Sequence, residues 1–190
     1  MLRLSTLAFA LALSVALSAG ATTYVPVTFD ELVTRADVIF VGVVTDVRSF
    51  PVTSARDGTI IKTRVIFRVL DPVWGTTSVQ EVFEFLGGEW NDVRMEVAEM
   101  PRFTVGDRRV VFARRERSIN PIVGFTQGLF EIRRDSEGVD RLFTLAGLPL
   151  AQAENIGSPT ANNSVGLVTP IRLSDFRNRI SRALSARRER

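Results

Sequence analysis

The sequence predicts a mostly β chain: a small OB-like barrel of five or six strands, with a short N-terminal helix and a C-terminal helix. A β-sandwich is the alternative arrangement. Three observations carry this expectation. Several segments are dense in Val, Ile and Phe, and some alternate apolar with polar residues at the two-residue period of a strand. The best of them, residues 36–50, is interrupted by Gly42, as a strand is where it turns a barrel corner. The connections between segments are few and long, which favours a barrel.

The first twenty-one residues have the pattern of an export signal: Arg3, an apolar Ala/Leu-rich run over 4–17, then the small residues Ala19-Gly20-Ala21. Cleavage between Ala21 and Thr22 is expected. The alternative, a retained anchor, is disfavoured because the run is shorter than the roughly 20 apolar residues a membrane span uses. The protein is therefore expected to be exported, periplasmic or extracellular, with no stable membrane span after cleavage. With no cysteine anywhere in the chain, neither a disulfide framework nor a lipidated cysteine is available.

After the signal, Thr28 with Glu31 three residues on predicts a capping box and a short helix ending near Ala36. The strand 36–50 follows, then a polar loop over 51–58. In 59–70, Ile61, Thr63, Val65, Phe67 and Val69 share one face, while Lys62, Arg64, Ile66 and Arg68 share the other, so one side is buried and one mostly wet. A turn at 71–75 leads to a strand at 79–86, ended by Gly87-Gly88. Residues 89–104 are expected to be irregular and 105–107 a tight turn. Strands follow at 108–116, 129–135 and 139–147, the last two joined as a hairpin through Ser136-Glu137-Gly138. Residues 148–170 loosen into a connector rich in Ala, Asn, Ser, Gly and Pro. Ser174 is then expected to cap a helix over 175–186, with Leu173, Phe176, Ile180 and Leu184 on one stripe. The expected organisation is a signal over 1–21, a barrel domain over 22–147, the connector over 148–170 and an Arg-rich helix over 171–190.

The net charge is only +3, and the high isoelectric point reflects the lack of buffering groups: no His or Cys, one Lys and one Tyr. Positive charge clusters only in 171–190, where seven Arg face Asp175 and Glu189. That helix is expected to dock with its Arg outward, leaving weak contact with an acidic surface as its other use. Nucleic acid is not an expected partner of an exported chain with so small a charge.

The mature start Thr22-Thr23-Tyr24-Val25-Pro26, then Phe29, then Ala36-Asp37 leading into Val38-Ile39-Phe40-Val41-Gly42, resembles the tissue inhibitors of metalloproteinases and related netrin-like modules over about residues 22–86. The resemblance implies an OB-type barrel with flanking helices and, as one function, regulation of a metalloprotease through the mature N-terminus. In that family two cysteines clamp the chelating end; Thr22 and Tyr24 stand in their places here, so the resemblance carries the fold further than the mechanism. A second pattern, Gly87-Gly88, Pro101-Arg102-Phe103, Gly106, Val123-Gly124 and Gly128, resembles that of exported bacterial proteins and implies no activity.

Without His or Cys, Ser-His-Asp and Cys-His catalysis and His- or Cys-ligated zinc or haem are excluded. A Ser-Lys dyad would have to use Lys62, on the wet face of a strand. Paired carboxylates remain for acid–base work: Glu81 and Glu84 fall on opposite strand faces, whereas Glu89 with Asp92, or Glu96 with Glu99, lie in one loop. These acids lack the alternating spacing of a calcium loop. No catalytic residue, metal or cofactor is therefore assigned. The expected function is a non-enzymatic binding module that engages a protein or extracellular ligand through loops at one barrel end, a carboxylate-dependent hydrolase being the remaining alternative. The candidate contact residues are Gly87, Gly88, Glu89 and Trp90, with Trp74 and Phe125: glycines admit close backbone approach, and the aromatic rings offer flat surfaces.

Overall fold

The computed structural model describes residues 25–54, 58–116, 118–157 and 168–189. The expected signal, its Ala21–Thr22 junction and the mature N-terminus all lie outside these residues. The described chain is mostly β. A short helix α1 (Phe29–Arg35) is followed by two 17-residue strands, β1 (Val38–Ser54) and β2 (Gly58–Trp74), then β3 (Gln80–Leu86). A small hairpin, β4 (Gly88–Trp90) and β5 (Val93–Met95), precedes β6 (Arg108–Ala113), β7 (Leu129–Arg134) and β8 (Asp140–Thr144). A 3₁₀ turn (Ala153–Asn155) and helix α2 (Leu173–Arg188) complete the order. The six-stranded sheet is antiparallel throughout, in the order β3-β2-β1-β6-β7-β8, and β4-β5 form a separate pair. The sheet does not close: β3 and β8 are its outer strands. One backbone bond, from the Leu86 N–H to the Ile119 carbonyl at 2.9 Å, ties β3 to the segment after β6.

The centre of this sheet is covered on both faces, which is why Val38-Ile39-Phe40-Val41 and Val110-Val111-Phe112-Ala113 are continuous apolar runs. Ile39, Val41, Val110, Phe112, Phe130, Ile132 and Leu142 meet both helices through Phe29, Leu32, Phe176, Ile180 and Leu184. Val38, Phe40, Val44, Val65, Phe67, Phe83, Phe85 and Val111 line the other face, which Met100 and Phe103 cover from the loop after β5. The outer part of β2 keeps the expected alternation: Ile61, Val65 and Phe67 are buried while Arg64 and Arg68 are exposed.

The α1 capping box forms as its sequence predicts: the Glu31 N–H donates to Thr28 Oγ1 at 3.3 Å, and the Thr28 N–H donates to Glu31 Oε2 at 2.9 Å. Three expectations are corrected. The stretches with Pro51 and Pro72 are strand rather than loop or turn, because each proline lies where a neighbouring strand has ended. β6 pairs only with Val38–Val43 of β1, and β3 only with Lys62–Arg68 of β2. Ile61 turns its carbonyl toward the Gly87 N–H on the β3 side, so the Pro51–Ile61 pair exchanges no backbone bonds and the missing N–H costs nothing. Second, α2 begins at Leu173 with Arg172 at its N-cap and no side-chain cap, so Ser174 lies inside the helix. Third, the expected connector is anchored in its first part: Leu150, Ala153 and Ile156 are buried in the helix-side core. Residues 158–167 of it lie outside the described residues.

α2 docks on the sheet. Phe176 is fully buried, its ring 5.3 Å from Phe130, 5.7 Å from Phe29 and 6.2 Å from Phe112. Three of its arginines are engaged within the chain: Arg177 pairs with Asp71 at 2.6 Å, Arg179 with Glu154 at 2.6 Å, and Arg187 donates to the Val33 carbonyl at 3.1 Å. Among the described residues, no helix is long and apolar enough to cross a membrane.

Candidate functional site: the cleft under the β4–β5 hairpin

After Leu86 the chain leaves the sheet through Gly87 and Gly88, both in the left-handed region at φ 97° and 135°. This turns β4 over the far ends of β1 and β2, against Ser49 and Thr63. A Cβ on Gly88 would lie 2.3 Å from Thr63 Oγ1 and 2.4 Å from Ser49 Oγ, and one on Gly87 would lie 2.8 Å from the Met95 carbonyl. The two glycines are thus required by the packing of the chain on itself.

The two hydroxyls form a directed chain. Thr63 Oγ1 donates to the Gly87 carbonyl at 2.7 Å, so its one proton is used, and the 3.0 Å contact with Ser49 makes Ser49 the donor. Ser49 Oγ accepts in turn from the Glu89 N–H at 3.3 Å. The hairpin is thereby fixed to β1 and β2 by polar contacts on both sides of Gly88. Its tip, Asn91-Asp92, has φ 45° and 64°, the double positive φ of a two-residue hairpin turn. Residues 89–95 are therefore not irregular as expected. Trp90 pairs with Val93 across the hairpin, and both side chains are exposed.

Between this hairpin, the returning segment 96–103 and the strand ends lies a cleft of about 400 Å³. Its floor is apolar (Val47, Phe85, Met100, Phe103), with the Phe85 and Phe103 rings 4.9 Å apart. Its rim is charged: Glu89, Arg94, Glu96 and Arg102. Glu96 lies 2.9 Å from Arg94 and 3.4 Å from Arg102, all largely exposed, so these pairs are loose and the charges are open to other partners.

Of the residues singled out in the sequence, Gly87, Gly88 and Glu89 line this cleft and Trp90 stands on the hairpin beside it without lining it. Trp74 and Phe125 lie elsewhere. Trp74 packs on the helix side, beneath the Arg187 and Arg188 guanidiniums at 5.6 and 5.0 Å. Phe125 sits at φ 61° in the turn between β6 and β7. Sequence reasoning missed Ser49, Thr63, Arg94, Met95, Met100, Arg102 and Phe103; the Asn91-Asp92 turn, flanked by Glu-Trp and Val-Arg, was the one local signal for the hairpin that gathers them.

Of the acidic residues weighed for acid–base work, Glu89 and Glu96 lie on the cleft rim, whereas Glu81 and Glu84 are engaged elsewhere. Glu81 is buried on the core side, paired with Arg115 at 3.0 Å, and Arg115 also donates to the Gly75 carbonyl and, through its backbone N–H, to Asp37. Glu84, on the opposite face as expected, lies between Arg64 and Lys62, and the Arg64 hydrogen bond holds its carboxyl below the ordinary range against a small desolvation. Among the described residues, no three acids cluster as metal ligands.

The fold and cleft define a mostly antiparallel β domain with a helix-covered face and a second face partly roofed by a hairpin. No family model, curated protein or solved structure matches the chain.

Proposed function

We propose that the protein is an exported, non-enzymatic binding module whose cleft under the β4–β5 hairpin takes a segment of another protein or an extracellular ligand. One observation carries this: an apolar floor rimmed by loosely paired charges of both signs, on a hairpin pinned from both sides. Binding sites combine apolar lining with a few placed polar groups in this way. The OB-like character belongs to the same proposal. The long, kinked β1–β2 ribbon, its register shifts around Gly42 and the Leu86–Ile119 bond support a curled sheet used on its concave side. Export is inferred from residues 1–21 alone.

Selection of a displayed random-peptide library against the purified chain tests this proposal. An Arg94→Glu/Arg102→Glu variant serves as counter-target; both residues are exposed, and the double change removes both positive charges and leaves the rim wholly acidic. Peptides enriched on the parent chain are expected to lose binding to the variant. Enriched peptides that bind both proteins alike would remove the cleft as the site.

A further inference from the structure

We propose that the outer edge of β3 pairs with the same edge of a second copy of this chain, antiparallel, with Val82 on the two-fold axis. The two edges of the sheet are treated differently. β8 is covered: the Thr144 N–H donates to the Leu148 carbonyl, the Leu150 N–H to the Leu142 carbonyl and the Leu142 N–H to the Ile171 carbonyl. Along β3, the Gly87 N–H and the Val79 carbonyl point toward β2, while the Leu86 N–H points away to Ile119. Odd-numbered residues of β3 therefore bond inward and even-numbered ones outward. Among the described residues, the outward amides of Val82 and Glu84 have no backbone partner.

Of the usual protections of a free edge, β3 has only the charges of Glu81, buried toward the core, and Glu84. It carries no proline, no lysine and no register shift against β2, and Val82 is half exposed beside Ile66. Its sequence is also self-complementary in the register its amides allow. With Val82 opposite its own copy, Gln80 falls opposite Glu84 on both sides of the axis, and all of these are outward-bonding positions. The exposed Gln80 amide then donates to a carboxylate, and two valines meet at the centre. A register shifted by two would set Val82 against Glu84 and lose both matches. The Ile119 contact at Leu86 limits the pairing to residues 80–84. This inference does not depend on what the cleft binds.

Sedimentation equilibrium over the micromolar to millimolar range is expected to show a reversible dimer. Gln80→Glu sets like charges opposite each other twice and is expected to weaken it about tenfold. Gln80→Lys is expected to tighten it. The chain has no cysteine, so single substitutions read the register directly. In a hydrogen-bonded pair the Val82 Cα atoms lie about 5.5 Å apart, within disulfide reach, whereas the two Glu84 Cα atoms are displaced by four residues, about 14 Å. Val82→Cys is expected to give a disulfide-linked dimer under mild oxidation, and Glu84→Cys to remain uncrosslinked. A chain that is monomeric at every concentration overturns the proposal, and so does equal crosslinking of the two variants.

Discussion

Replacing Gly88 with alanine tests whether the hairpin is held as described. Two costs follow from its position. At φ 135° an alanine is strained by about 1–3 kcal/mol. Its Cβ also enters the space of the Ser49 and Thr63 hydroxyls, at 2.4 and 2.3 Å, and these must move. That breaks a chain of three hydrogen bonds, each contributing about 1 kcal/mol, so the whole cost is about 4–6 kcal/mol. Gly138→Ala is the matched control. It too has a positive φ, 79°, but a Cβ there meets nothing within 4 Å, so only strain of about 1–2 kcal/mol applies. The assay is chemical and thermal unfolding of both variants beside the parent. For a chain of this size the difference corresponds to a Tm about 5–10 °C lower for Gly88→Ala than for Gly138→Ala. Equal losses would mean that β4 does not rest on Ser49 and Thr63, and the description of the cleft would fail with it.

Phe176→Ala removes the ring shared by α1, α2 and the sheet, and is expected to cost about 3–5 kcal/mol in urea unfolding; a loss below about 1 kcal/mol would show that α2 is not docked. Asp140 accepts a bidentate bond from Arg108, which, with help from Arg134, lowers its carboxyl to about 2. A carboxyl lowered on folding stabilises above its ordinary value near 4 and loses that contribution as pH falls toward 2. Asp140→Asn is therefore expected to lose about 1–2 kcal/mol at neutral pH and to flatten the decline in stability between pH 4 and 2, followed by unfolding at graded pH. Arg115→Ala leaves the buried Glu81 carboxylate without its ion pair, and adding Glu81→Gln is expected to recover part of the roughly 2 kcal/mol lost; no recovery would argue against that pairing.

Local chemistry in this chain was legible where local chemistry decides. The Thr28–Glu31 capping box needs only residues three apart, and the opposite faces of Glu81 and Glu84 need only the strand period. Gly87-Gly88 marked the site because a double glycine after a strand signals an unusual backbone, although the cause proved to be Ser49 and Thr63, far away in sequence. Pro51 and Pro72 misled because a proline forbids only one side of a strand, and which side is empty depends on where β6 and β3 stop. Trp74 looked like a contact surface in a turn, yet the extension of β2 carries it under Arg187 and Arg188. The cleft was only half visible for the same reason. Its floor comes from three separate stretches that touch because the segment 96–103 folds back over the face of the sheet opposite the helices.

Site-specific photocrosslinking tests most directly the proposal that the cleft takes a partner. Glu89→Cys, Arg102→Cys and Arg182→Cys each introduce the single thiol of the chain, two at the cleft rim and one on the exposed side of α2. Labelled with a benzophenone and irradiated in the exported fraction of the source cells, the two rim variants are expected to yield a shared discrete adduct that the α2 variant lacks. An adduct formed from Arg182→Cys but from neither rim position would contradict the account.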